Sequence, residues 1–351
     1  MKVHIVAATV TVESVIPHIL QNDAVFLDTR SPAEYEHAHI PGALSFPLMS
    51  NEERAIIGTI YKQQGRQAAV TEGFRLIGPR FAEFIEKAHQ ITEGKKVFLY
   101  CWRGGMRSGI MAWILSMGGV PVTLIKGGYK AYRHWALSTF SVQKSIAIIG
   151  GKTGSRKTEL LHELKNNNQY IIDLEELANH KGSAFGALGM PPQPSTEQFE
   201  NSLALLWHRT PDDAPVWLEN ESNKIGRCAI PMSLFEQMRE AVCYELDVPY
   251  EERKQHILKS YGCFDKESLA ACTEKIKKRL GGLRLKNALE ALEENRLSDW
   301  CDIVMEYYDK TYAHSNMQRD ANKIIRIATQ KDVSQHLIAK SKEIITNGYS
   351  N

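Results

Sequence analysis

No Cys-x-x-Cys pair occurs anywhere in the chain. The six cysteines stand at 101, 228, 243, 263, 272 and 301, so the common zinc spacings are absent. Six in 351 residues is also too sparse for a disulfide scaffold, and the thiols are expected to be reduced in a cytosol. Charge of one sign is missing as well. Forty-three Lys and Arg stand against 41 Asp and Glu, a formal net charge of +2, so no global field marks a nucleic-acid binder and basic character has to be local. Long hydrophobic runs are absent. The longest apolar stretch, residues 109–125, is broken by Gly118-Gly119-Val120-Pro121 into a short helix and a short strand, too interrupted to cross a bilayer. The opening MKVHIVAATVTVESV lacks the basic region, apolar run and cleavage site of a signal peptide. A cytoplasmic protein without membrane association is expected. With 43% hydrophobic and 24% charged residues, wholesale disorder is excluded.

What is present is an alternation of short apolar strands and amphipathic helices. Candidate strands are Val25–Asp28, Val97–Tyr100 and Val122–Ile125, and a helix from Phe74 to Ala88 puts Phe74, Ile77, Phe81, Phe84 and Ile85 on one face. Such alternation implies an α/β fold with a mostly parallel sheet. Around residues 138–144 the pattern turns polar and restarts at Ile146–Ile149, followed by strands at Tyr170–Asp173 and Val216–Glu219. From about Val248 onward strand signals are lost, and charged segments with apolar residues at helical spacing (Leu285, Ala288, Leu289, Leu292) read as helix. The expected division is 1–140, 141–250 and a mainly helical 251–351.

Cys101 closes an apolar strand and opens Cys101-Trp102-Arg103-Gly104-Gly105-Met106-Arg107-Ser108, after which a helix begins. A strand–loop–helix turn aims successive backbone N–H groups and the helix N-terminus at one point. Gly104 and Gly105 allow close approach, and Arg103 and Arg107 add positive charge. All of this favours a thiolate, so Cys101 is the candidate nucleophile, and the same cradle suits a chalcogen anion.

Three separated motifs then appear in order: Phe26-Leu27-Asp28-Thr29-Arg30-Ser31-Pro32-Ala33-Glu34-Tyr35, His39-Ile40-Pro41-Gly42-Ala43 and the Cys101 loop. Over residues 10–135 the chain thereby resembles a rhodanese domain. That resemblance implies chalcogen transfer through an enzyme-bound S–S or S–Se species, with Asp28 and Arg30 supporting the fold and the loop.

After the strand at Ile146–Ile149, the run Gly151-Lys152-Thr153-Gly154-Ser155-Arg156-Lys157-Thr158 fits the phosphate-loop template G-x-x-x-x-G-K-[ST], with Arg156 in place of the second glycine. Gly151, Thr153, Gly154 and Ser155 are candidates to cradle a diphosphate or triphosphate, Lys157 to neutralise it and Thr158 to reach a magnesium ion. If position 156 needs positive φ, a side chain there costs about 1–2 kcal/mol. Asp173, Glu219 and Glu221 end neighbouring strands and are candidate acid or metal support. No residue set is assigned to a resident metal.

Further strings sharpen the reading: Asp173-Leu174-Glu175, residues 178–186 (Ala-Asn-His-Lys-Gly-Ser-Ala-Phe-Gly), residues 219–226 (Glu-Asn-Glu-Ser-Asn-Lys-Ile-Gly) and residues 127–133 (Gly-Gly-Tyr-Lys-Ala-Tyr-Arg). With the Cys101 loop, these resemble the bacterial tRNA 2-selenouridine synthase family over nearly the whole chain. The resemblance implies a rhodanese-like domain fused to a P-loop domain. It implies a transferase acting on 2-thiouridine at the tRNA wobble position, which geranylates the sulfur with geranyl diphosphate and then installs selenium from selenophosphate. No tightly bound cofactor is implied. A selenophosphate synthetase is the implied selenium supplier.

Such an enzyme needs a surface for tRNA. Residues 253–286 carry ten Lys or Arg and three Asp or Glu. Lys275, Lys277, Lys278, Arg279, Arg284 and Lys286 are the dense part and the candidate phosphate-backbone contacts. The alternatives are a plain sulfurtransferase with a degenerate second domain, a nucleoside-triphosphate-dependent kinase or ATPase, and a non-catalytic tRNA-binding or selenium-carrier module.

Overall fold

A computed structural model describes residues 7–316, 319–328 and 333–348. Two compact units emerge, Met1–Thr139 with Glu197–Leu205, and Phe140–Thr196 with Leu206–Asn351. Each carries one five-stranded, all-parallel sheet.

In the first unit the strands are β1 (Ala8–Val10), β2 (Ala24–Asp28), β3 (Leu44–Ser45), β4 (Lys96–Tyr100) and β5 (Thr123–Ile125), in the order β1-β5-β4-β2-β3. The two central strands are near-continuous apolar runs because helices cover both faces. Leu27 and Leu99 are fully buried, in a core with Met111 and Leu115 from the helix that follows β4. The helix expected over 74–88 is two helices, Arg66–Ile77 and Phe81–Thr92, joined by a 3₁₀ turn at Gly78–Arg80. Pro79 is the reason: it has no N–H to continue the ladder, and its ring crowds the carbonyl four residues back. The helix Thr196–Arg209 supplies residues to the first unit through its 197–205 stretch. There Tyr129 donates to Glu197 (2.6 Å), Arg133 pairs with Glu200 (2.6 Å) and Asn201 donates to the carbonyl of His39 (2.9 Å).

In the second unit the strands are β6 (Ile146–Gly151), β7 (Tyr170–Ile171), β8 (Val216–Glu219), β11 (Val242–Asp247) and β12 (Ile324–Ala328), in the order β12-β11-β6-β8-β7, with a two-stranded antiparallel ribbon of β9 (Lys224–Ile225) and β10 (Cys228–Ala229) beside them. The expectation that strands cease after Val248 is corrected by β12. Its Ile-Ile-Arg-Ile-Ala run is β-branched enough for a strand, but only pairing with β11, about eighty residues earlier, makes it one. Between β11 and β12 the described chain is mainly helical, as expected, and its Leu292, Trp300 and Met305 share a core with Phe185 from earlier in the unit.

Candidate functional site

Both chemically prepared loops follow the central strand of their sheet, where the crossovers leave a crevice at the strands' carboxyl ends. In the first unit, Cys101 follows β4 and is 3% exposed. Its Sγ accepts the Gly105 N–H (3.2 Å) and the Ser108 hydroxyl (3.3 Å). Burial pushes the thiol pKa up, but the donors at Ser108, Gly105 and the Arg103 N–H outweigh it, and the net direction is down. Ser108 is fully buried and does not stand out in the sequence; its place in the first turn of Met106–Met117 is the only signal there.

The loop's shape depends on glycine at two places. A Cβ on Gly104, whose φ is +63°, would lie 2.8 Å from the Ile125 carbonyl oxygen, and one on Gly128 (φ +59°) would lie 2.2 Å from the Cys101 carbonyl oxygen. The approach of Gly128 lets the Tyr129 and Lys130 N–H groups bond the carbonyls of Cys101 and Trp102, both at 2.9 Å. Beneath the loop Asp28 and Arg30 form a fully buried ion pair, with the guanidinium 4.0 Å from the Tyr129 ring centroid.

The two loop arginines separate. Arg103 is exposed and forms no ion pair among the described residues. Arg107 turns away and grips Glu34 with two bonds (2.5 and 3.3 Å), and Arg54 joins the same carboxylate at 3.1 Å. Glu34 is held down to about 2, because these partners and the Ser31 N–H overcome the effect of burial. The charge of Arg107 is thus matched by Glu34, and Arg107 positions the loop and helix.

In the second unit, β6 runs into the phosphate loop and the helix Lys157–Asn166. Arg156 adopts φ +57° and ψ +34°, the left-handed conformation a glycine would take, while its side chain is exposed. The Lys157 ammonium lies 3.0 Å from the Gly151 carbonyl oxygen, and Ser155 is buried with its hydroxyl bonded to the Lys152 carbonyl (2.6 Å). Arg253, counted in the basic run from sequence, is buried and clamps this loop. It donates to the Thr153 carbonyl (3.1 Å) and binds Asp309 through two bonds of 2.8 Å.

Facing Lys157 and Thr158 is a carboxylate cluster. Glu175, Glu219 and Glu221 have oxygens within 4.8 Å of one another. Burial, then mutual repulsion, raises Glu175 to about 9 and Glu221 to about 8; Glu219 is raised too, chiefly by burial. Glu219 is 2% exposed and its Oε1 has no hydrogen-bond partner among the described residues. A buried acceptor without a donor, among carboxylates that cannot all be charged, fits a divalent cation or a shared proton. Sequence reasoning misses Glu175 because it lies on the short helix Leu174–Ala178 rather than at a strand end. Gly182 touches the cluster: a Cβ there would lie 2.8 Å from Glu221 and 2.9 Å from Glu175. Asp173 stands apart, its carboxylate capping Glu176 N–H (2.8 Å) and bonded to His162 (2.8 Å).

Of the basic run, Lys275, Lys277, Lys278, Arg279 and Lys286 are exposed and Arg284 is half-buried. Arg284 pairs with Glu306 and Lys286 with Glu290. Lys277, Lys278 and Arg279 form a short exposed helical turn, Lys277–Leu280, and have no ion pair among the described residues.

Comparison with known proteins places this geometry. Residues 11–134 match the rhodanese-like domain family and residues 144–344 match the family described as the tRNA 2-selenouridine synthase AAA domain. Among curated relatives, the tRNA 2-selenouridine synthase of Nitrosomonas europaea is 33% identical over 86% of this chain and 91% of its own length. That of Hahella chejuensis is 35% identical over 88% and 89%, and that of Pseudomonas fluorescens 36% over 84% and 89%. No helix among the described residues is long and apolar enough to cross a membrane.

Proposed function

We propose, from the premise that the chain belongs to the tRNA 2-selenouridine synthase family, that it exchanges the sulfur of wobble 2-thiouridine for selenium in two steps at two loops. In the first, the phosphate loop holds geranyl diphosphate. Lys157 and the loop N–H groups neutralise the diphosphate as it departs, and the 2-thio sulfur takes the geranyl carbon. Glu175, Glu219 and Glu221, with the Thr158 hydroxyl, are the residues that would hold a magnesium ion, which when bound supplies further charge to the leaving diphosphate.

In the second step, Cys101 is the nucleophile. Its thiolate adds at C2 of the base and geranyl thiolate leaves with the C–S bonding electrons. The selenium of selenophosphate then attacks C2, the Cys101 thiolate departs, and water takes the phosphoryl group as phosphate. Geranylation matters because it turns a thione sulfur into a group that leaves as a thiolate. Arg103 is placed to meet the incoming selenophosphate anion. The exposed Lys275, Lys277, Lys278, Arg279 and Lys286, with the half-buried Arg284, supply phosphate-backbone contacts for tRNA. A selenophosphate synthetase is the source of the selenium donor.

The observation that carries this reading is the Cys101 Sγ, nearly buried yet held by two donors and lowered in pKa. The left-handed Arg156 favours a functional phosphate loop over a degenerate one, since the backbone keeps the conformation that a glycine would adopt. The test is mass spectrometry of nucleosides from 2-thiolated tRNA, first with geranyl diphosphate and then with selenophosphate. S-geranyl-2-thiouridine followed by 2-selenouridine is expected. Absence of geranyl diphosphate binding and of both products would return the protein to the plain sulfurtransferase class, and ATP turnover without prenyl transfer would make the second unit a kinase or ATPase.

A further inference from the structure

The first unit contains a cavity of about 1130 Å³ to which the two-step reading assigns no occupant. One wall is the helix Asn51–Gln64, which buries none of its own residues. Packing of an apolar face normally stabilises a helix in a protein, yet here Ile56 and Tyr61 stand 49% and 58% exposed, and Phe74 on the next helix 41%. Ile57, Val70 and Phe74 line the cavity from these two helices. The opposite wall is Met106 and Ile110, from the helix that starts immediately after Gly105, whose N–H holds the Cys101 sulfur. In the chain, the lining residue Met106 directly follows the nucleophile's own hydrogen-bond donor. Lys62 and Arg66 also line it, and neither has an ion pair among the described residues.

Apolar walls with unpaired cations among them, one wall being the helix that follows the Cys101 loop, fit a hydrocarbon chain attached to a polyanion. We propose that this cavity receives the geranyl chain of the S-geranylated wobble base during the selenium-exchange step, with Lys62 and Arg66 taking adjacent RNA phosphates. The inference rests on the two-step reading above and assigns the second substrate's recognition to the prenyl group. The first unit thereby selects geranylated RNA over its 2-thiouridine precursor, and the geranyl thiol leaves from this cavity. Geranyl diphosphate is not its ligand, since the phosphate loop belongs to the other unit.

The test is binding, with the full chain, of anticodon stem-loops carrying either 2-thiouridine or chemically prepared S-geranyl-2-thiouridine at the wobble position, read by fluorescence anisotropy. Burial of the prenyl chain should favour the geranylated stem-loop by roughly tenfold or more. Val70→Trp narrows the cavity without changing charge, and Phe74→Glu places a carboxylate on its exposed wall. Both should bring the two stem-loops to equal affinity, with Val70→Trp leaving the 2-thiouridine affinity as it was. Circular dichroism and melting identify whichever variant is folded. Equal affinities in the unmodified protein, or a preference that persists in a folded variant, would overturn the proposal. So would a concentration-dependent dimer that Val70→Trp dissolves while the geranyl preference is absent. Because the geranylated RNA is supplied ready-made, a failure of enzymatic geranylation would strike the two-step reading and leave this binding result standing.

Discussion

The Cys101 loop and the phosphate loop are built alike and finished differently. Each joins the central strand of a parallel sheet to a helix, and each gathers N–H donors at one point. Around Cys101 the donors are already spent on an atom of the chain itself, the Sγ at 3.2–3.3 Å. One of its two arginines is matched as well, since Glu34 neutralises Arg107, and Arg103 is left without an ion pair among the described residues. Around Lys157 the opposite holds. The ammonium rests on a loop carbonyl, and three carboxylates crowd together with one acceptor unpaired. The first loop satisfies its own thiol from within the chain, as the proposed role of Cys101 as nucleophile requires. The second is electrostatically unfinished, as suits the proposed binding of a diphosphate and a magnesium ion from solution.

Breaking the finished loop should have the largest effect. Cys101→Ser replaces a stabilised thiolate with a hydroxyl that stays protonated at neutral pH. The expected outcome is no detectable 2-selenouridine, with S-geranyl-2-thiouridine accumulating, in nucleoside mass spectrometry; full selenation would remove Cys101 from the chemistry. The matching lesion in the unfinished loop is milder. Lys157→Ala removes one charge-assisted hydrogen bond, worth about 1.5–3 kcal/mol, so geranyl diphosphate affinity should fall roughly ten- to a hundredfold by equilibrium binding.

The next comparison is of stability. Glu34 is held at about 2 in the folded chain against roughly 4.3 in an unfolded one. Its contribution is present in full above about pH 4.5 and is lost as the pH falls towards 2. Glu34→Gln should therefore cost about 2–3 kcal/mol at pH 7 and make the first unit's acid unfolding less steep, followed by denaturant titration at several pH values. On the RNA side, replacing Lys277, Lys278 and Arg279 with Ala should lower the log–log salt slope of tRNA binding by about 0.7–0.9 for each RNA phosphate left without its cation; an unaltered slope would make that turn a solvated face. The smallest effect is at Arg156. Arg156→Gly relieves about 1–2 kcal/mol of left-handed strain but adds roughly 0.5–1 kcal/mol of chain entropy. A melting shift of only a few degrees is expected, with geranylation equal or higher unless the guanidinium touches the diphosphate.

Much of each site is readable in the sequence because its central residues are consecutive. Cys101–Ser108 and Gly151–Thr158 carry their own turn chemistry, and a strand before with a helix after is enough to aim the N–H groups. The break at Gly78–Arg80 is readable in principle, since Pro79 alone forces it. Arg107 escapes sequence reasoning for a different reason. A charge in a loop has no direction until its partner is known, and Glu34 lies about seventy residues away.

Local chemistry, then, was determined by the sequence alone: which cysteine is the candidate nucleophile, which lysine is the candidate phosphate contact, where glycine is needed and where the central strands lie. The tertiary structure alone decided which distant residues meet. It brought Glu175 to Glu219 and Glu221, turned Arg253 from a surface charge into the clamp on Thr153, and paired β12 with β11. It also opened a cavity between residues 51–77 and the helix behind Cys101. The physical reason is that hydrogen-bonded turns are settled by neighbours in the chain, whereas ion pairs, desolvated carboxylates and cavities depend on distances that only the packed sheets and helices set.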